Sequence, residues 1–119
     1  MKKVLPLLLF VLFAFTGCNS GPVVYEPTDN PHQLCEHAEK FTNQVAKKSK
    51  HYNAEDWEMA IQEFVKMGKN ASELFNNLSE EEQMRFDNAR MVFVGAIDAT
   101  GDEALSLHMK DEYSKVLGD

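Results

Sequence analysis

One stretch restricts the fold more than any other. After Trp57 the residues Ile61, Phe64, Gly68, Ala71, Phe75 and Leu78 follow at spacings of 4, 3, 4, 3, 4 and 3. That alternation is the period of an α-helix, sustained too long for a strand or loop. Ala60, Met67 and Leu74 widen the stripe to about 140°, the width of a helix face turned to a core. Asn53 stands before the pattern and Asp56 follows three residues later, a variant of the capping box. The spacing predicts a helix over 54–77. Gly68 lies at the centre of the stripe, where a glycine costs about 1 kcal/mol against alanine. Close approach of another helix is the simplest offset.

Three further helices are expected around this one. Asn30 can cap, and Pro31 can open, a helix over 31–51. Its stripe is Leu34, Ala38, Phe41 and Val45, and Lys47, Lys48 and Lys50 suit its negative end. Ser79 and Glu82 form a capping box for a helix over 80–100, with Phe86, Ala89, Val92, Phe93, Ala96 and Ile97 inward. Its periodic context overrides the short β-branched run at Met91–Val94. Gly101 breaks the pattern. Thr100 and Glu103 can cap a last helix over 102–117, with Leu105, Met109, Tyr113 and Val116 inward and Leu107 off the stripe. The alternative is one bent helix through Gly101. Connections of about 2–6 residues make consecutive helices antiparallel neighbours. The fold class expected is all-α, an antiparallel bundle of three to four helices over residues 31–119.

Composition agrees and removes other classes. A chain of 119 residues allows one compact domain. With 44% apolar and 26% charged residues it is not disordered throughout. Six Gly and four Pro are too few for a turn-rich β fold, and two Cys cannot build a disulfide framework. The net charge of −7 opposes phosphate backbones, so no nucleic-acid partner is expected.

The N-terminus reads as an address. Met1-Lys2-Lys3 is a positive start, and Val4 to Phe15 is an apolar run broken by Pro6. The run is shorter than the roughly 20 residues that span a bilayer, and has the length of a signal-peptide core. It ends at Phe15-Thr16-Gly17-Cys18. This resembles the lipobox of bacterial lipoproteins, although Phe15 replaces the usual Leu. The resemblance implies a signal peptide over 1–17, with Cys18 lipidated as the new N-terminus. Loss of Lys2 and Lys3 takes the charge from −7 to −9. Residues 18–30, with Gly21, Pro22 and Pro27 and no helical period, read as a flexible tether. Asn19 stands where an Asp marks inner-membrane retention, and Asn19-Ser20-Gly21 lacks the acidic run of surface-exposed lipoproteins. The resemblance therefore favours the outer membrane, facing the periplasm.

Candidate chemistry is sparse. His32, Cys35 and Glu39 share one side of the first helix and are possible zinc ligands. A structural zinc site takes four ligands and no second Cys/His pair exists, so solvated residues beside a half-buried thiol is the preferred reading. His37 points away from Cys35, and the adjacent His108 and Met109 cannot face one iron. There is no Gly-rich phosphate loop. No catalytic residue, cofactor or enzymatic activity is expected. Arg90 projects into the apolar arc of the third helix and must pair or snorkel. Met84, Met91 and Gly95 lie on the opposite side of that helix. They are either covered by the fourth helix or form an outward, adaptable partner surface.

Beyond the lipobox, the tether, helical body and Asn53-Ala54-Glu55-Asp56-Trp57 with Ala60 and Phe64 resemble the small all-helical lipoproteins common in Bacteroidota. That resemblance carries no catalytic residues. Three functions follow as expectations. A lipid-anchored, non-catalytic interaction or scaffold module comes first. An acidic, envelope-tethered inhibitor or immunity factor for a basic enzyme comes second. A metal or small-ligand binder resting on His32 and Cys35 comes third.

Overall fold

Each helix begins where a side chain can satisfy its free amides. The computed structural model describes residues 23–116; the expected signal peptide and Cys18 lie outside them. Within this range the chain forms α1 (Pro31–Lys48), α2 (Ala54–Leu74), α3 (Glu80–Asp98) and α4 (Glu103–Val116), and no strand among the described residues. The side chain of Asn30 accepts from the amides of His32 and Gln33. Asn53 with Asp56, and Ser79 with Glu82, form reciprocal capping boxes. Single 3₁₀ turns at Ser49–His51 and Phe75–Asn77 replace the last residues of the two first-predicted helices. Gly101 takes a φ of +72° and separates α3 from α4. Asp102, rather than the expected Thr100, caps α4: its Oδ1 accepts from the Leu105 amide at 3.0 Å. The Thr100 hydroxyl is drawn back to the Ile97 carbonyl at 2.6 Å.

The helices do not pack in chain order. The closest pairs are α1 with α3 and α2 with α4; α1–α2 and α3–α4 contacts are looser. Contacts climb in step along each close pair: Cys35 meets Glu82 and Glu39 meets Arg85, while Glu58 meets His108 and Gln62 meets Glu112. Both close pairs therefore run parallel. The molecule is two αα-hairpins, α1–α2 and α3–α4, stacked in the same orientation. Consecutive helices are antiparallel, as expected of an all-α bundle, but the tighter contacts lie between the hairpins. The cause is bulk on the inner faces. The rings of Phe64 on α2 and Phe93 on α3 stack at 4.1 Å across the core, and Phe41, Trp57 and Tyr113 join them within about one ring of distance.

The segment over 23–30 corrects one expectation. It is not a free tether but a strap on the outer side of the α1–α2 hairpin. Tyr25 is buried between Phe41 of α1 and Asn70 of α2. Side chains satisfy the strap's backbone, as a strand partner would. The Tyr25 amide donates to Glu63 at 2.9 Å, and the Glu26 carbonyl meets His37 Nδ1 at 2.8 Å. The Asn70 amide group takes both the N–H and the carbonyl of Thr28, at 3.0 and 2.9 Å. Burial of Asn70 is thereby compensated.

Gly68 carries the close approach that its position implies. The Tyr113 ring of α4 lies over it, so close that a Cβ there would sit 2.5 Å from Cε1. The expected stripes of α1 and α2 are buried, except that Leu74 is half-buried and Phe75 is exposed. Phe75 falls in the 3₁₀ turn and is 53% exposed, because the tighter turn rotates it off the stripe.

Candidate functional site

The outer face of the α3–α4 hairpin is where this fold remains open. α3 turns Ala89, Phe93 and Ile97 into the core, so residues about half a turn away must face solvent. Met84 is 67% exposed and Met91 50% exposed, and beyond its own turn of helix nothing lies within 4 Å of a Cβ placed on Gly95. α4 does not cover them, since it turns Met109 and Tyr113 toward α2 and α3 and leaves Leu107 outward, 66% exposed. The fourth helix therefore does not cover Met84 and Met91, and they face outward.

A shallow groove of about 220 Å³ runs between α3 and α4 on this face, lined by Arg90, Met91, Val94, Met109, Lys110 and Tyr113. Around the end of α4 a larger cleft of about 570 Å³ opens, with Ala71, Phe75, Leu78, Phe86 and again Arg90 and Tyr113 in its walls. Arg90 stands between the two hollows. It neither snorkels free nor remains unpaired: its Nη2 and Nε donate to Asp87 Oδ1 at 2.6 and 3.1 Å. That pairing leaves the apolar walls with little net charge. Tyr113 separates the hollows from the core, and burial pushes its hydroxyl above the usual tyrosine range.

The possible zinc ligands His32, Cys35 and Glu39 are not brought together, and the thiol is more deeply buried than expected. Cys35 is fully buried and its thiol donates to the Glu82 carbonyl at 3.3 Å, on the seam between α1 and α3. Burial raises its pKa and holds the thiol neutral. His32 is exposed and pairs with Glu36 at 3.2 Å. Glu39 is taken by Arg85 in a two-pronged pair at 2.7 and 3.0 Å, whose hydrogen bonds hold its carboxyl below the usual range. Each candidate ligand thus has another partner. No group of three His, Cys, Asp or Glu side chains among the described residues is placed to hold a metal. Helical spacing put the three on one side of α1, but α3 occupies that side.

Three features of the fold are not legible in the sequence pattern. Leu107 was noted as off the α4 stripe without being assigned to a face. Phe75 was counted as core. The role of Asn70 had one available signal: a polar residue on the flank of a wide apolar stripe, which a buried hydrogen-bond partner would explain. A third hollow, about 710 Å³, lies at the other end of the stack between Tyr52, Trp57, Ala96 and Leu105. No family model, no curated protein and no solved structure matches this chain.

Proposed function

We propose that the protein is a lipid-anchored envelope module that binds a partner protein without catalysis, through the outer face of α3 and α4. One observation carries the reading. The strap packs onto the α1–α2 hairpin, where Met59 and Val24 stand exposed singly, whereas the α3–α4 side leaves Met84, Met91 and Leu107 exposed together. Flexible methionines beside a groove adapt to an apolar ridge, and Gly95 allows a close backbone. The occupant proposed is a helix of an envelope protein with an apolar edge and basic flanks. Basic flanks follow from charge: the chain carries 19 acidic and 12 basic residues, Glu80 lies beside Met84, and Asp98 follows Met91 by two helical turns.

The anchor belongs to the same proposal. Cys18, in the lipobox-like Phe15-Thr16-Gly17-Cys18, would carry the acyl chains, and the destination would be the periplasmic side of an outer membrane. Several chains together hold a protein at a bilayer where one does not. Labelling with a fatty-acid analogue should be lost in Cys18→Ala; unlabelled native protein would remove the anchor from the proposal.

The binding surface is tested in cells with a photo-crosslinking residue at position 91 and a control at position 55. A discrete crosslinked partner is expected from 91, absent from 55, and lost when Met84 is changed to Asp. Crosslinks of equal pattern from both positions would refute the surface. A second reading, an inhibitor of a basic enzyme, is favoured by the excess of acid alone. It requires the crosslinked partner to be an enzyme that loses activity when the purified protein is added.

A further inference from the structure

We infer that the outer face of α1, beside the point where the strap begins, lies against anionic lipid headgroups. The inference rests on the proposed anchor at Cys18. Its first support is reach. The strap is docked from Val23 onward, and Val23 lies five positions after Cys18. Fully extended, those five steps span at most about 17 Å. A lipid anchor at Cys18 would therefore hold this one corner of the domain at the bilayer, and not let it stand off.

The corner is identified by its contacts. Val23 and Val24 border a hollow with His37, Lys40 and Gln44 of α1, and the Tyr52 hydroxyl lies beside the Val23 backbone. Val24 is 70% exposed. Lys47 follows Lys40 by two helical turns on the same side of α1, Lys48 follows Gln44 by one, and Lys50 closes the run in the 3₁₀ turn.

Charge is the second and independent support. Between Glu39 and Glu55 the chain has four lysines and no acidic residue, in a protein of net charge −7. Acids do surround this stretch. Glu26 and Glu36 lie at its near edge, and Glu58 and Asp102 line the hollow behind Lys50. They confine the basic surface to the outer side of α1. That is the side on which the strap begins. Helix-end complementarity explains a lysine or two in the last turn of α1, but it does not explain Lys40, two turns earlier. A cluster of cations next to an acyl anchor suits an anionic surface, where each lysine strengthens attraction and the acyl chains supply attachment. An exposed valine at the same corner suits the boundary between headgroups and chains.

The test uses the purified acylated protein in vesicles of phosphatidylglycerol or of phosphatidylcholine, with a water-soluble amine-reactive reagent. Peptide mass spectrometry then reads each lysine. In phosphatidylglycerol, Lys40, Lys47, Lys48 and Lys50 should react about fivefold more slowly, the factor equivalent to about 1 kcal/mol per cation at an anionic surface. Lys69 on α2 and Lys110 on α4 should react alike in both. The triple variant K47Q/K48Q/K50Q, checked for native helicity, should lose the protection of Lys40. Equal rates in the two lipids, or equal slowing of every lysine, overturn the inference while leaving the anchor intact. An intact mass without acyl chains on Cys18 overturns the anchor and the inference together.

Discussion

The hydroxyl of Tyr25 donates to Asn70 Oδ1 at 2.7 Å, in the buried space between the strap and α2, across 45 positions of sequence. The same Asn70 side chain holds both backbone groups of Thr28. One amide thus fixes the strap to the body at three points.

Asn70→Ala should cost about 2–4 kcal/mol, because it leaves the Tyr25 hydroxyl and both Thr28 backbone groups without partners. Tyr25→Phe removes one hydrogen bond and keeps the ring against Phe41, so about 1 kcal/mol is expected. Urea denaturation measures both. Limited proteolysis should cut residues 23–30 faster in Asn70→Ala than in Tyr25→Phe.

Gly68 and Tyr113 should behave as a coupled pair. Alanine at 68 gains helix propensity of about 1 kcal/mol but displaces a ring that stacks on Phe64 at 4.7 Å. Gly68→Ala should therefore be destabilising or neutral in the native background. In a Tyr113→Ala background it should stabilise by about 1 kcal/mol. A double-mutant cycle reads the difference directly. Additive effects would show that the ring does not depend on the missing Cβ.

Met84→Gln with Met91→Gln should leave stability within about 0.5 kcal/mol of the native chain, since neither side chain fills the core. Thermal unfolding checks this. With the crosslinking residue placed at exposed position 107 instead, the same double variant should lose the crosslink from the α3–α4 face, which separates a binding role from a packing role.

The Glu39–Arg85 pair sets a pH dependence with a definite sign. The hydrogen bond from Arg85 holds the Glu39 carboxyl below its ordinary value of 4.5. A depressed carboxyl contributes stability above that ordinary value and loses it as pH falls through the depressed one. Glu39→Gln should thus be modestly less stable than the native chain at pH 7. The gap should shrink below pH 4.5 and close in stronger acid, and rising salt should shrink it at pH 7. Paired denaturation curves across pH and salt measure it.

How much of this protein its sequence determined can be stated residue by residue. Helix starts at Pro31, Ala54 and Glu80 were legible because caps and periodicity are local: Asn30, Asn53–Asp56 and Ser79–Glu82 act within one turn of their own backbone. The break at Gly101 was legible for the same reason, since a positive φ needs glycine whatever surrounds it. The inward stripes of α1 and α2 were readable from spacing, and Gly68 marked a close approach without naming what would approach. What packs against what was not local. The parallel pairing of α1 with α3 followed from the bulk of Phe64 and Phe93 meeting across the core, and that pairing placed α3 where a metal would have joined Cys35 to Glu39. The strap has no period to read, because its backbone is satisfied by Glu63, His37 and Asn70 from distant positions. Whether Met84 and Met91 are core or surface depended on which way α4 crosses α3, a choice made by Tyr113 seated on Gly68. Local hydrogen bonding fixed the elements; long-range packing decided which faces were left for a partner.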